Sequence, residues 1–107
     1  MAREQLKTLS EPMYFVLLAL TQPMHGYEIM QTVSVISRDS VKVGAGTLYA
    51  LLTRFEKEEI VLRKKDDGRR KVYLITGKGR ELLDREYARF KESIRVYDEY
   101  LHGGDRG

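Results

Sequence analysis

The chain of 107 residues contains no cysteine and no tryptophan, and only two prolines and two histidines. Without thiols there is no disulfide framework and no thiolate nucleophile, a composition suited to the cytoplasm. His25 and His102 stand far apart, and His25 falls at the expected start of a helix, a place for capping or packing rather than for metal binding or catalysis. No serine–histidine–acid set has a recognisable spacing. Gly44-Ala45-Gly46 opens an expected helix but lacks the lysine and hydroxyl that would make it a phosphate loop. No enzyme, metal or cofactor is therefore expected. Long hydrophobic runs are also missing. The longest, Met13 to Leu20, is far too short to span a bilayer, and its flanks lack the charge and cleavage pattern of a signal peptide, so no membrane partner is expected.

What is present is an ordinary globular composition, 42% apolar and 33% charged, in a length suited to one domain with one modest core. The net charge is only +3, but it is unevenly placed. Arg63 to Lys71 holds six cations (Arg63, Lys64, Lys65, Arg69, Arg70, Lys71) against Asp66 and Asp67, while the rest of the chain is close to neutral. Such a focused patch fits a polyanion-binding site, and equally a solvated hairpin whose charged edges discourage aggregation.

The pattern of elements narrows the choice. Residues 1–9 read as a loose or partly helical arm. Ser10 is a good N-cap, with Glu11 and Pro12 suited to a first turn, and the helix they open should run to about Thr21 and be a central core element. A second helix is expected from His25-Gly26, with Ile29, Met30, Val33 and Ile36 on one face. A loop at 37–40 and an extended link at 41–43 lead to a third helix after Gly44, ending near Glu58, with Leu48, Leu51, Leu52 and Phe55 inward. Val61–Lys65 and Arg69–Ile75 flank Asp66-Asp67-Gly68, a strong hairpin signal.

Thr76 then caps a long helix to about His102, ended by Gly103-Gly104. Its apolar positions Leu83, Tyr87, Phe90, Ile94, Tyr97 and Leu101 alternate spacings of 4 and 3, a heptad seam. Glu81, four residues before Arg85, favours an exposed helix. Either a second copy of the helix packs on the seam, or the helix folds back on the core of its own chain.

Three helices and a basic two-stranded hairpin make a mainly α fold with a small β-hairpin wing, a winged helix-turn-helix, extended here by a long C-terminal dimerisation helix. The expected division is 1–75 for the winged unit, 76–102 for the helix and 103–107 for a flexible tail. A wing lying along a DNA backbone gives clustered cations a use, because each neutralised phosphate releases counterions.

Particular residues then resemble a known family. His25-Gly26-Tyr27-Glu28-Ile29 is similar to the second-helix motif of PadR-like transcriptional regulators, and Gly46-Thr47-Leu48-Tyr49 to the start of their recognition helix. Arg54-Phe55-Glu56 with Ile60-Val61 resembles the end of that helix. Arg69 to Thr76, with Gly79 and Leu82-Leu83, resembles the wing's return strand and the helix after it. Each motif is weak alone. Together, in order over residues 12–85, they are specific, and the length matches the short branch with one C-terminal helix. Two departures stand out: Glu59 where glycine is usual, and Ala50 where proline often follows the tyrosine. The resemblance implies a homodimeric DNA-binding repressor whose long C-terminal helices pair with each other, so that two recognition helices and two wings meet a palindromic operator. It also implies a place for a planar ligand beside an aromatic of that helix, and Phe90 falls near that position; Tyr14, Tyr87 and Phe90 are then the candidate pocket, or else simply heptad core residues.

The residues carry their own assignments. Thr47, Tyr49, Ala50, Thr53 and Arg54 lie off the third helix's apolar stripe, so they are the candidates for a major groove. The competing roles are capping for Thr47, packing for Tyr49 and simple solvation for Arg54. Lys65, Arg69, Arg70 and Lys71 are the candidates for phosphate or minor-groove contact, with strand alternation placing Arg70 opposite Arg69 and Lys71. Double-stranded DNA and a second copy of the chain are the expected partners, with a small hydrophobic effector as a further one. The competitor is a winged module that binds protein and carries its basic wing as mere surface.

Overall fold

The computed structural model describes residues 6–66 and 68–103. Most of the expected N-terminal arm and C-terminal tail, and Asp67 of the wing turn, lie outside the described residues. Helix α1 (Glu11–Ala19) starts where Ser10 Oγ accepts the Met13 amide, and it ends two residues before the expected Thr21. Val16, Leu17, Ala19 and Leu20 are buried, which makes α1 the centre of the core.

Next comes an element that the sequence pattern did not predict, the two-residue strand β1 (Met24–His25). It has no periodicity to read, because it exists only by pairing with a distant strand. Helices α2 (Gly26–Ile36) and α3 (Ala45–Lys57) follow, then β2 (Val61–Lys65), β3 (Lys71–Ile75) and α4 (Gly77–Leu101). The sheet is antiparallel in the order β1-β3-β2, so the wing has three strands rather than two. One core joins α1, Ile29 and Val33 of α2, Leu48, Leu52 and Phe55 of α3, Tyr73 of β3, and Leu82 and Leu83 of α4.

The turn from α3 into the wing shows what Glu59 costs. The Ile60 amide donates to Phe55 O at 2.8 Å and the Glu59 amide to Glu56 O at 3.0 Å, the paired bonds of a Schellman motif, with Phe55 and Ile60 packed in the core. This cap needs a left-handed residue, and Glu59 supplies it at φ 62°. A side chain there is strained by about 1 kcal/mol. Glu59→Gly is therefore expected to stabilise the fold by up to about 1 kcal/mol, reduced by glycine's greater unfolded-state entropy; urea unfolding checks it.

Two tight contacts fix α4 to this turn. Thr76 Oγ1 accepts the Gly79 amide and donates towards Glu59 O and Ile60 O. A Cβ on Gly79 would lie 2.2 Å from Ile60 O, a backbone atom that cannot swing away. Gly79→Ala should push α4 off the sheet and cost about 1–3 kcal/mol, as overpacked cores do. A thermal midpoint within a degree of the native one would contradict that contact.

Candidate nucleic-acid interface

Leu48, Leu52 and Phe55 turn one side of α3 into the core, which sends Gly46, Ala50, Thr53 and Lys57 to the opposite side, all exposed. Thr47 flanks this stripe with its hydroxyl free of any partner among the described residues, while Thr53 Oγ1 donates back to Tyr49 O at 2.8 Å. Lys57 was not singled out from the sequence, although its spacing from Ala50 and Thr53 marks the same face. The outward centre of α3 is thus made of short side chains, which let a helix approach base edges closely.

Tyr49 and Arg54 are each engaged within the chain. Tyr49, half exposed, lies across the first turn of α2, where a Cβ on Gly26 would sit 2.2 Å from its Oη. The glycine of the HGYEI motif is what makes room for the tyrosine of GTLY. Arg54 donates through Nε to the buried carboxylate of Glu58 at 2.9 Å.

The wing gathers the remaining candidates. Lys65 and Lys71 face each other in register across β2 and β3, both exposed. Like charges directly opposite destabilise a strand pair unless something negative lies over them. Arg69 does not belong to β3; it sits in the turn at φ 69°, so the expected alternation begins only at Lys71. No described glycine has positive φ, so Arg69 takes the left-handed position in this turn. Asp66 organises this turn. Its amide donates to Arg70 O, its Oδ1 accepts the Arg70 amide at 2.9 Å, and its Oδ2 is 3.6 Å from Arg70 Nε and 3.3 Å from His25 Nε2. The Arg70 amide above all holds the Asp66 carboxyl below its ordinary range, and the Gly68 amide adds to this against a partial desolvation. His25, the N-cap of α2, also places Nδ1 3.1 Å from Lys71 O, so the motif histidine links the start of α2 to the wing.

Charge pairing sorts the cations. Arg63 pairs with Glu56 of α3 at 3.3 Å and Arg70 with Asp66, while Lys64, Lys65, Arg69 and Lys71 have no acidic partner among the described residues. Among the described residues no cluster could hold a metal ion, and no helix is long and apolar enough to cross a membrane.

Helix α4 divides the expected seam. Leu83 lies in the chain's own core at 4% exposure, and Phe90 packs edge-on against Tyr14 of α1, ring centroids 5.2 Å apart. Tyr87, Ile94, Tyr97 and Leu101 remain about half exposed or more. Glu81 and Arg85 are exposed as expected, but the ion pair in this turn is Arg80–Asp84, 3.1 Å. Tyr14 and Phe90, with Phe15 and Glu11, line an opening of about 410 Å³, whereas Tyr87 lines a separate groove with Ala88 and Ile94.

The model of the transcriptional regulator PadR-like family matches residues 16–85. An uncharacterized protein of Lysinibacillus sphaericus is 36% identical over 91 residues, covering 78% of this chain and 84% of that one. A PadR family transcriptional regulator from Eggerthella lenta superposes with a TM-score of 0.69 at 25% identity, covering 84% of this chain and 80% of that one. A PadR-like transcriptional regulator from Bacillus cereus does so at 0.68 and 25%, covering 84% and 90%. With the winged fold, the small-residue face of α3 and the exposed wing cations in place, the chain belongs to the PadR-like family of DNA-binding transcriptional regulators.

Proposed function

We propose that this chain is a homodimeric repressor that pairs through α4 and reads a two-fold-related operator, one half-site per protomer. In this reading residues 1–75 bind DNA in the cytoplasm and residues 76–102 join the copies. The observation that carries DNA contact by the wing is the Lys65–Lys71 pair, two facing cations without a carboxylate among the described residues. A phosphate between them would turn a repulsion into two charge-assisted bonds. Thr47, Ala50 and Thr53 would then face the major groove, Arg69 would reach the backbone, and Tyr49, Arg54 and Arg70 would act partly through the contacts they hold.

Pairing is supported by the outer half of α4, whose residues 91–101 are all exposed. A lone helix of that length is marginal in water, and surface pairs such as Arg95 with Glu92 and Glu99 add only a few tenths of a kcal/mol each. A second copy on Tyr87, Ile94, Tyr97 and Leu101 would supply the missing burial. In a two-fold dimer the recognition helices would meet successive turns of the duplex.

The opening between Tyr14, Phe15 and Phe90 favours one addition, relief of repression by a planar aromatic ligand. Glu11 at its rim would favour a cationic one.

The test is fluorescence anisotropy of the DNA upstream of this protein's gene against a scrambled duplex, at two salt concentrations, with and without a planar aromatic cation. Tight, salt-steep binding to the upstream duplex alone, reduced by the cation, is the expected result. Equal weak binding to both duplexes would remove the operator reading.

A further inference from the structure

The segment that leads into α1 is fastened at both ends by buried carboxylates from different elements. The Leu6 amide donates to Glu58 Oε1 at 2.8 Å, and Glu58 is the C-cap of α3, 8% exposed. The Leu9 amide donates to Glu86 Oε1 at 2.7 Å, and Glu86 lies on α4, 2% exposed. Each carboxylate is also held from its own helix, Glu58 by Arg54, and Glu86 by Arg89 through Nε and Nη2 at 2.8 and 2.9 Å. Leu9 is buried and Leu6 half-buried against the core. Burying a carboxylate is costly unless its oxygens are hydrogen-bonded, so these two select the one path of chain that brings them amide donors.

The placement has a mechanical meaning. Helix α3 packs on α2 and β2, and α4 on α1 and β3. The start of α4 is tied to the end of α3 by Thr76 on Glu59 and Ile60 and by the close approach of Gly79 to Ile60, all within its first turn. Glu86 lies seven residues further along α4, about 10 Å at the helical rise. A second tie at that distance, running back to the end of α3, fixes the angle between the two helices. The Tyr14–Phe90 contact also presses α1 on α4, but an edge-on ring contact is less directional than a charge-assisted hydrogen bond.

We infer that residues 6–9 form a strap that sets the angle between the recognition helix and α4, with Glu58 and Glu86 as its positioning residues, and that it thereby sets which half-site spacing the dimer accepts. This rests on the dimer reading above. In a two-fold assembly joined through α4, a change in that angle moves both recognition helices, and half-site spacing is the quantity that responds.

The test uses the full chain and replaces strap amides only. Leu6→Pro removes the donor to Glu58 and stays apolar at a half-buried site; Leu6→Ala keeps the donor and is the control. Operator duplexes with the native spacing, and with one base pair inserted or removed, are titrated by anisotropy. For Leu6→Pro the preference for native spacing is expected to fall about fivefold or more, the scale of a typical coupling between sites. Salt slope and dimer dissociation should stay unchanged, and Leu6→Ala should keep the native preference. A purely structural role would weaken all duplexes alike and leave the preference intact, which would overturn the strap. Leu9→Pro extends the test to Glu86; if it does not fold, Leu6→Pro still decides. If the native chain itself shows no spacing preference, it is the dimer-operator reading that fails.

Discussion

Replacing Lys65 and Lys71 together by alanine is expected to flatten the salt dependence of operator binding while leaving the fold intact. Each lysine that neutralises a phosphate contributes about 0.9 to the slope of log affinity against log salt, so four lysines in a dimer remove about 3.6. Over a fourfold rise in salt that corresponds to about a hundredfold less loss of affinity than the native protein suffers. At low salt the variant should bind more weakly to every duplex, operator or scrambled, because phosphate contacts carry no sequence. Arg70→Ala should do far less, since its guanidinium already lies beside Asp66. The thermal midpoint guards against a trivial result. The two lysines oppose each other across the wing, so their removal relieves a like-charge pair and should not lower stability. An unchanged salt slope in a folded variant would mean that Lys65 and Lys71 do not touch the DNA backbone, and would leave that contact to other cations such as Arg69.

How far the sequence carried this reading depends on the range of each signal. Ser10 and Thr76 announced their helices because capping acts over three residues, and the 61–65 strand was legible for the same local reason. Strand β1 was not, since two residues show no period and the pairing of Met24 with Tyr73 spans much of the chain. Glu59 was marked as a misfit by the family resemblance alone; only the backbone shows that it takes the left-handed position. The Asp-Gly pair pointed to a turn correctly; that the left-handed residue in it is Arg69 shows only in the backbone.

For the candidate site the divide is similar. The outward face of α3 follows from helical spacing, so Thr47, Ala50 and Thr53 were readable, and Lys57 should have been. The pairing of Arg54 was not readable, because its partner Glu58 is a surface charge by pattern and buried in fact. Glu86 is the same case: the turn that looks like exposed charge hides a carboxylate under the Leu9 amide, 77 positions earlier. The bonds it accepts leave their mark on titration. Hydrogen bonds from Arg89 and then the Leu9 amide hold Glu86 below its ordinary value despite desolvation. The seam on α4 was legible as a period, but a period cannot tell which partner takes each turn.

Ile94→Glu should settle that question. In a single chain Ile94 is 62% exposed and outside the core, so a carboxylate there leaves the winged unit alone. In a dimer paired through α4 it places two charges in the apolar seam. Leaving buried charge unpaired costs several kcal/mol, and about 3 kcal/mol already weakens dimerisation more than a hundredfold. Sedimentation should find a folded monomer at concentrations where the native chain is a dimer, with operator affinity falling towards that of one half-site. Leu83→Glu supplies the contrast on the same helix. Leu83 is buried within its own chain, so that variant should lose its cooperative unfolding transition rather than merely dissociate. If Ile94→Glu still sediments as a dimer, the copies meet elsewhere, and the exposed apolar positions along the outer half of α4 do not join them.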